Sequence, residues 1–156
     1  TALAEAKTPQ EAAGIRVRFE IIAKSLAPRL ILDRYKASRG YLLACVRHGE
    51  LWNEIENKMP AGGDTGEHRK KIDDGTLIDF GAAGFKSRMD ALQCSRVATS
   101  DFAEDLRTYL DECEAGNYFP SLGGAYRIWR MLNREDEEPE RHACPDCGAV
   151  HRKKST

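Results

Sequence analysis

The sequence predicts an all-α fold for residues 1–134. Apolar residues recur there at steps of three and four, the spacing that places them on one side of a helix. Ser and Thr stand at positions typical of helix N-caps, and Gly and Pro separate the segments. Residues 135–140 then form an acidic linker, Glu-Asp-Glu-Glu-Pro-Glu. The helical domain therefore ends near residue 134, and residues 141–156 form a separate tail.

Length and composition narrow the class of protein. A chain of 156 residues, of which 41% are hydrophobic, is long enough for one core. Its longest apolar runs are far shorter than the ~18 residues of a membrane span, and its first residues lack the apolar stretch of a secretory signal. We therefore expect a cytoplasmic protein with no membrane partner. The net charge of -1 gives no overall attraction to nucleic acid, so any such attraction must be local.

The first helix is predicted to begin at Thr8. Thr8 is a typical N-cap, Pro9 suits the first helical position, and Glu11 completes a capping box. An apolar stripe follows until Pro28 ends the pattern. Its members are Ala12, Ile15, Phe19, Ile22 and Leu26. Such a stripe either packs against the core or forms a dimer seam.

Two helices are predicted between Pro28 and Pro60. The first runs toward Gly40 and the second carries apolar residues from Leu42 to Met59, with Gly49 as a further candidate break. Trp52 is expected to anchor the core. His48 on the second helix is expected to be solvated, as exposed histidines on helices usually are.

The predicted helix from Ser87 to Ala98 is the candidate for DNA recognition, within a helix-turn-helix unit over residues 67–99. Ser87 is its expected N-cap. Met89, Leu92 and Val97 are expected to face the core. The polar residues expected on the outer side are Arg88, Asp90, Gln93 and Arg96. Arg reads guanine and Gln reads adenine in the major groove, but a plain solvated helix has the same composition, so both interpretations stay open.

Two more helices are predicted before the linker. Asp101 and Glu104 form a capping pair at the start of the first, and Gly116 supplies its left-handed end. Ser121 caps the second, which carries Leu132 on its inner side. Its arginines Arg127 and Arg130 are expected to face outward. The three cysteines of the helical segments, Cys45, Cys94 and Cys113, are interpreted as small buried hydrophobic residues.

The order of motifs from Gly84 onward suggests a family. Gly-Phe-x-Ser-Arg precedes an amphipathic helix, a second helix ends at Gly116, and Ser121 precedes Ala125 and Leu132. This order resembles the helix-turn-helix segment of ParB/KorB-type partition and repressor proteins. The segments 39–43 and 48–52 look like a phage- and plasmid-associated family in which a His-Gly-Glu-x-Trp segment precedes such a helix-turn-helix. The resemblance spans roughly 35–134 and implies DNA-facing roles for Ser87, Arg88, Gln93 and Arg96.

We therefore expect a non-enzymatic DNA-binding protein of phage or plasmid type, either a regulator or a replication or partition accessory factor. It would bind double-stranded DNA as a homodimer, since one helix reads only a short half-site. The expected phosphate contacts are Arg69, Lys70, Lys71, Arg127 and Arg130. No nucleotide-binding or hydrolase motif is present in the sequence. The alternative is a protein-interaction adapter that modulates a host protein complex, which the near-neutral net charge favours.

The tail has the spacing of a metal site. Its four candidate ligands within ten residues are His142, Cys144, Cys147 and His151. Two thiolates and two imidazoles suit tetrahedral Zn²⁺ in a structural role. The alternative set is Cys144, Cys147 and His151 with a fourth ligand from elsewhere. The other interpretations are incidental cysteines in an unstructured tail and a redox pair.

Overall fold

The computed structural model describes residues 2–26, 30–56, 58 and 78–133, and the backbone alone of 141–143 and 150–152. Its helices are α1 (Ala2–Glu5), α2 (Pro9–Ser25), α3 (Ile31–Asn53), α4 (Arg88–Val97), α5 (Ala103–Gly116) and α6 (Leu122–Leu132). Two short strands, β1 (Arg141–Ala143) and β2 (Val150–Arg152), pair antiparallel. The helical character of the body is confirmed. No helix in these ranges combines the length and the apolar composition that crossing a membrane requires.

Helix α2 starts as predicted. The Thr8 hydroxyl accepts a hydrogen bond from the Glu11 amide at 3.2 Å, and the Glu11 carboxylate accepts one from the Thr8 amide at 3.3 Å. The buried side of α2 carries Ala12 and, unexpectedly, Arg16. Of the predicted stripe, Ala12 is buried and Ile22 is 46% exposed.

Helix α3 is one continuous helix where the sequence predicted two. It packs antiparallel on α2, and both glycines that suggested breaks lie inside it. A Cβ at Gly40 would overlap the ring of Phe19, and a Cβ at Gly49 would overlap the backbone carbonyl of Cys94 on α4. These glycines are therefore sites of close approach between helices, and packing on both sides outweighs their low helix propensity.

The core lies where α3, α4, α5 and α6 meet. Its largest fully buried residues include Trp52 and Phe102, and the interpretation of Trp52 as a core anchor is confirmed. Cys45, Cys94 and Cys113 are buried with free thiols, also as predicted. A smaller buried cluster consists of Ala6, which directly follows α1, Ala12 of α2 and Leu51 of α3.

The starts and ends of α4, α5 and α6 agree in part with those predicted from the sequence. Ser87 and Ser121 cap α4 and α6, with their hydroxyls 3.1 and 3.0 Å from the amides of Asp90 and Gly124. The predicted capping pair at α5 is wrong, because the chain enters α5 through a 3-10 turn over Ser100–Phe102 without a side-chain cap. The left-handed residue after α5 is Asn117, at φ 56°, and not Gly116.

Gly49→Ala should destabilise the protein by about 1–3 kcal/mol, because the new methyl group has no room beside the α4 backbone. The matched control is Gly14→Ala on α2, where a Cβ meets nothing within 4 Å. That change should stabilise by up to about 1 kcal/mol through helix propensity alone. Urea unfolding of the two variants measures the difference. Stabilisation by both substitutions would show that α3 and α4 do not approach closely at Gly49.

Candidate nucleic-acid interface

The position of helix α4 is set by an ion pair inside the protein. The Arg16 guanidinium donates to the two Asp90 carboxylate oxygens at 2.7 and 3.1 Å. The two side chains are only 3% and 12% exposed. The Lys86 amide donates to the same carboxylate at 3.0 Å. Asp90 was expected on the outer side of α4, and that prediction is wrong because Arg16 of α2 draws it inward.

His48 completes this cluster from α3. Its Nδ1 lies 3.0 Å from Arg16 Nη1, and its Nε2 lies 2.8 Å from the carbonyl oxygen of Ala83. A guanidinium can only donate, so Nδ1 accepts and Nε2 carries the proton that it donates to Ala83. The ring is 0% exposed and stacks on Phe85 at a centroid distance of 3.7 Å. The prediction of a solvated His48 is wrong.

The pKa shifts in the cluster agree with this hydrogen bonding. The pKa of His48 is lowered to about 4, mainly by burial; the Arg16 charge acts in the same direction, and the hydrogen bond to Ala83 opposes it. Burial alone would raise the pKa of Asp90, but the bonds from Arg16 and the Lys86 amide outweigh it and lower that pKa. At neutral pH the cluster therefore holds a charged Arg16, an ionised Asp90 and a neutral His48. Since solvent does not reach His48, its role is to fix the helices.

The outer side of α4 carries the residues proposed from the sequence to read DNA. Arg88 and Arg96 lie on the side away from the buried Ala91, Cys94 and Val97. Arg96 is exposed, Ser87 is exposed at the cap, and Gln93 is half-buried. Met89 was expected in the core but is 55% exposed, because the inward position beside it is taken by Asp90.

Helix α6 packs beside α4 and supplies further cations. The Arg96 guanidinium lies over the Trp129 ring at 5.1 Å, and Trp129 stacks on Tyr126 at 5.9 Å. Arg127 and Arg130 are exposed, as predicted, and their three-residue spacing puts them on one side of α6. Leu132 was expected to face inward but is 56% exposed.

Charge is unevenly divided among these helices. Helices α4 and α6 together carry four arginines, Arg88, Arg96, Arg127 and Arg130, and we refer to these as the α4–α6 arginines. The one carboxylate on the two helices is Asp90, which the buried Arg16 neutralises. Helix α5 carries five carboxylates and a single arginine, Arg107. The near-neutral chain thus contains a locally cationic pair of helices.

Several proposed site residues lie outside the described residues. Residues 67–77 of the helix-turn-helix candidate are among them, and these include Arg69, Lys70 and Lys71. The others are the linker 135–140 and the tail residues Cys144 and Cys147. The backbone of the tail pairs His142 with His151 in the register of β1 and β2. Among the residues whose side chains are described, no three or more His, Cys, Asp or Glu residues form a group that could hold a metal ion.

Comparisons with protein families, with curated proteins and with solved structures found no match for this chain. The resemblance to ParB/KorB-type proteins therefore stays a prediction.

Arg16, on which the position of α4 depends, was not among the residues predicted from the sequence. A signal for it exists, since Arg16 stands four residues after Ala12 and three before Phe19, within the periodic stripe of α2. A cation at such a position needs a buried partner. The partner, Asp90, is 74 residues away in the sequence, so local patterns do not identify it.

Acid should destabilise the protein as the pH falls from 6.5 to about 4, the unfolded and folded pKa values of His48. In this window the unfolded chain binds a proton at His48 that the folded protein excludes, so stability is retained above pH 6.5 and lost below it. We expect a loss of about 2–3 kcal/mol in urea unfolding across the window.

The control for this prediction is His48→Gln. The glutamine amide can accept a hydrogen bond from Arg16 and donate one to Ala83, but it does not titrate. The stability of the variant should therefore depend less on pH in the same window. Parallel pH profiles for the two proteins would contradict the assignment of the proton to His48.

Proposed function

We propose that this protein is a non-enzymatic DNA-binding protein that reads double-stranded DNA with helix α4. The observation that carries the proposal is the set of α4–α6 arginines, on two packed helices whose one carboxylate is neutralised internally. Cations that neutralise phosphates provide most of the affinity of proteins for DNA, and the contacts of a helix in the major groove provide specificity.

The DNA contact proposed for each residue follows from its position on the helices. Arg88 and Gln93 on α4 contact base edges, where Arg suits guanine and Gln suits adenine. Ser87, at the N-terminus of α4, contacts a phosphate or a base. Arg127 and Arg130 on α6 contact phosphates, and Arg69, Lys70 and Lys71 add contacts of the same kind.

Arg96 has a special place in this arrangement, because it is held on Trp129 of the neighbouring helix. Stacking a guanidinium on an indole uses the face of the group and leaves its N–H donors in the plane. The stack limits the rotamers of Arg96 before DNA arrives, which lowers the entropy lost on binding. Arg96 therefore serves as a preorganised DNA contact, positioned between α4 and α6.

A role as a regulator or as a replication or partition accessory factor of phage or plasmid type is part of this proposal, as are a cytoplasmic location and a homodimeric state. Two copies would present two α4 helices to successive half-sites of the duplex.

Arg96→Ala and Arg130→Ala should each weaken binding to a mixed-sequence DNA duplex at least about fivefold, as removal of a DNA-contacting arginine typically does. Arg130→Ala should also reduce the slope of log affinity against log salt by ~1, as loss of one phosphate contact does. Fluorescence anisotropy with a labelled duplex over a salt series measures both.

The matched control is Arg107→Ala, which removes an exposed arginine from the acidic helix α5 and should leave DNA binding unchanged. Absence of binding by the parent protein even at ~50 mM salt would contradict the proposal. Equal losses in all three variants would show that the α4–α6 arginines have no particular role.

We also propose that the tail binds one structural Zn²⁺ through His142, Cys144, Cys147 and His151. The supporting observation is the pairing of β1 with β2, in which His142 and His151 are direct register partners. Opposite residues of an antiparallel pair have their Cβ atoms ~5 Å apart, and Cys144 follows β1 immediately. So short a tail has little apolar surface, and metal ligation is a usual source of stability for such segments.

Protein purified under reducing conditions should contain ~1 equivalent of zinc. Cys144→Ser and Cys147→Ser should each lose it and leave the helical circular dichroism signal unchanged. Cys113→Ala, which changes a buried cysteine of α5, should keep the metal. Elemental analysis decides between these outcomes, and a metal content near zero in the parent protein would contradict the proposal.

A further inference from the structure

An apolar groove lies between the start of α3 and the chain that follows α5. Its volume is about 250 Å³, and it is lined by Ile31, Leu32, Tyr35, Glu114, Asn117 and Phe119. We refer to it as the α3–α5 groove. It shares none of these residues with the α4–α6 arginines, so it is a separate surface.

Large apolar side chains stand exposed in and beside this groove. Leu32 is 64% exposed and Ile31 is 56% exposed, although both belong to the first turn of a long helix. Tyr118, next to the lining residue Phe119, is 68% exposed. Single exposed apolar residues are common, but several around one groove indicate a contact surface.

The walls of the groove are held in place by contacts within the chain. The Tyr35 hydroxyl donates to the carbonyl oxygen of Leu110 on α5 at 3.3 Å. The Arg34 guanidinium lies over the Phe119 ring at 5.1 Å. The groove is therefore formed before any partner binds. Binding of a partner then carries no entropy cost for ordering these side chains.

The charges beside the groove are of both signs and lie on different helices. Helix α3 contributes the cations Arg34 and Arg39, and α5 contributes the anions Asp111 and Glu114. Arg34 contacts the lining residue Phe119, and Glu114 is itself a lining residue. Arg39 stands four residues after Tyr35, and Asp111 stands three before Glu114, so each shares a helix side with a lining residue. A surface with a basic side and an acidic side is complementary to its own copy rotated by a two-fold axis.

We propose that a second copy of this chain docks on the α3–α5 groove to form a two-fold symmetric dimer. The apolar residues at the start of α3 pack against the groove of the partner copy. The basic α3 side of each copy faces the acidic α5 side of the other, so each ionic contact occurs twice. This proposal rests on the homodimeric state in the proposed function and assigns its interface. DNA is not needed for the contact, so the dimer is tested in its absence, separately from DNA binding.

Sedimentation velocity of the full chain, at concentrations up to ~100 µM, tests the proposal. The parent protein should be a dimer, and Leu32→Asp should raise the dimer dissociation constant at least ~10-fold, because it buries an unpaired charge. The matched control is Met131→Asp on α6, since Met131 and Leu32 are both 64% exposed. The control should dimerise like the parent, and circular dichroism should show both variants folded.

The ionic part of the interface is tested by exchanging charges. Arg34→Glu and Glu114→Arg should each weaken the dimer, and the double variant should dimerise more strongly than either single variant. A parent protein that is monomeric at ~100 µM would overturn the proposal. Equal effects of Leu32→Asp and Met131→Asp would overturn it too, and so would a double variant no better than the singles.

Discussion

A guanidinium buried where three helices meet is the constraint on which the rest of the structure depends. Arg16 on α2 is only 3% exposed, and an unpaired charge there would cost several kcal/mol. Asp90 of α4 supplies the opposite charge, and His48 of α3 supplies a neutral acceptor. The pair therefore determines which side of α4 faces inward. With Asp90 held inside, Met89 and the arginines of α4 are left on the outer side.

The distribution of charge follows from this arrangement. It gives a near-neutral protein a cationic pair of helices, α4 and α6, and an acidic helix, α5. Asp90 is the only carboxylate of α4 and α6, and it is paired with Arg16, so the remaining charged side chains of these two helices are all cationic. The carboxylates of α5 lie on a separate helix, which contributes Leu106 and Leu110 to the core. A net charge summed over the chain hides this separation, since DNA responds to local potential. The groove beside α5 combines both signs, which suits a copy of the chain better than a polyanion.

Sequence patterns predict what is decided within a few residues. The caps at Thr8, Ser87 and Ser121 are of this kind, because each is a hydrogen bond to an amide three residues along the chain. The errors at Gly49, His48 and Asp90 have a common cause, since their partners are distant in sequence: the α4 backbone for Gly49, Ala83 for His48 and Arg16 for Asp90. Local propensity predicts a helix break at Gly and solvent exposure for polar side chains. Tertiary contacts overturn both predictions at these positions. The outer positions of Arg88, Arg96, Arg127 and Arg130 were predicted from the sequence, because the spacing along a helix decides which residues share a side. The stacking of Arg96 on Trp129 depends on the packing of α4 against α6, which no local pattern indicates.

The most direct test of this account is a double-mutant cycle between Arg16 and Asp90, measured by urea unfolding. Arg16→Met and Asp90→Ala should each cost about 3–5 kcal/mol, because each variant disrupts the buried pair and Asp90→Ala leaves a buried charge alone. The double variant should cost less than the sum of the two, with a coupling energy of about 2 kcal/mol or more. Additive losses, or single losses below about 1 kcal/mol, would show that the ion pair does not hold α4 in place.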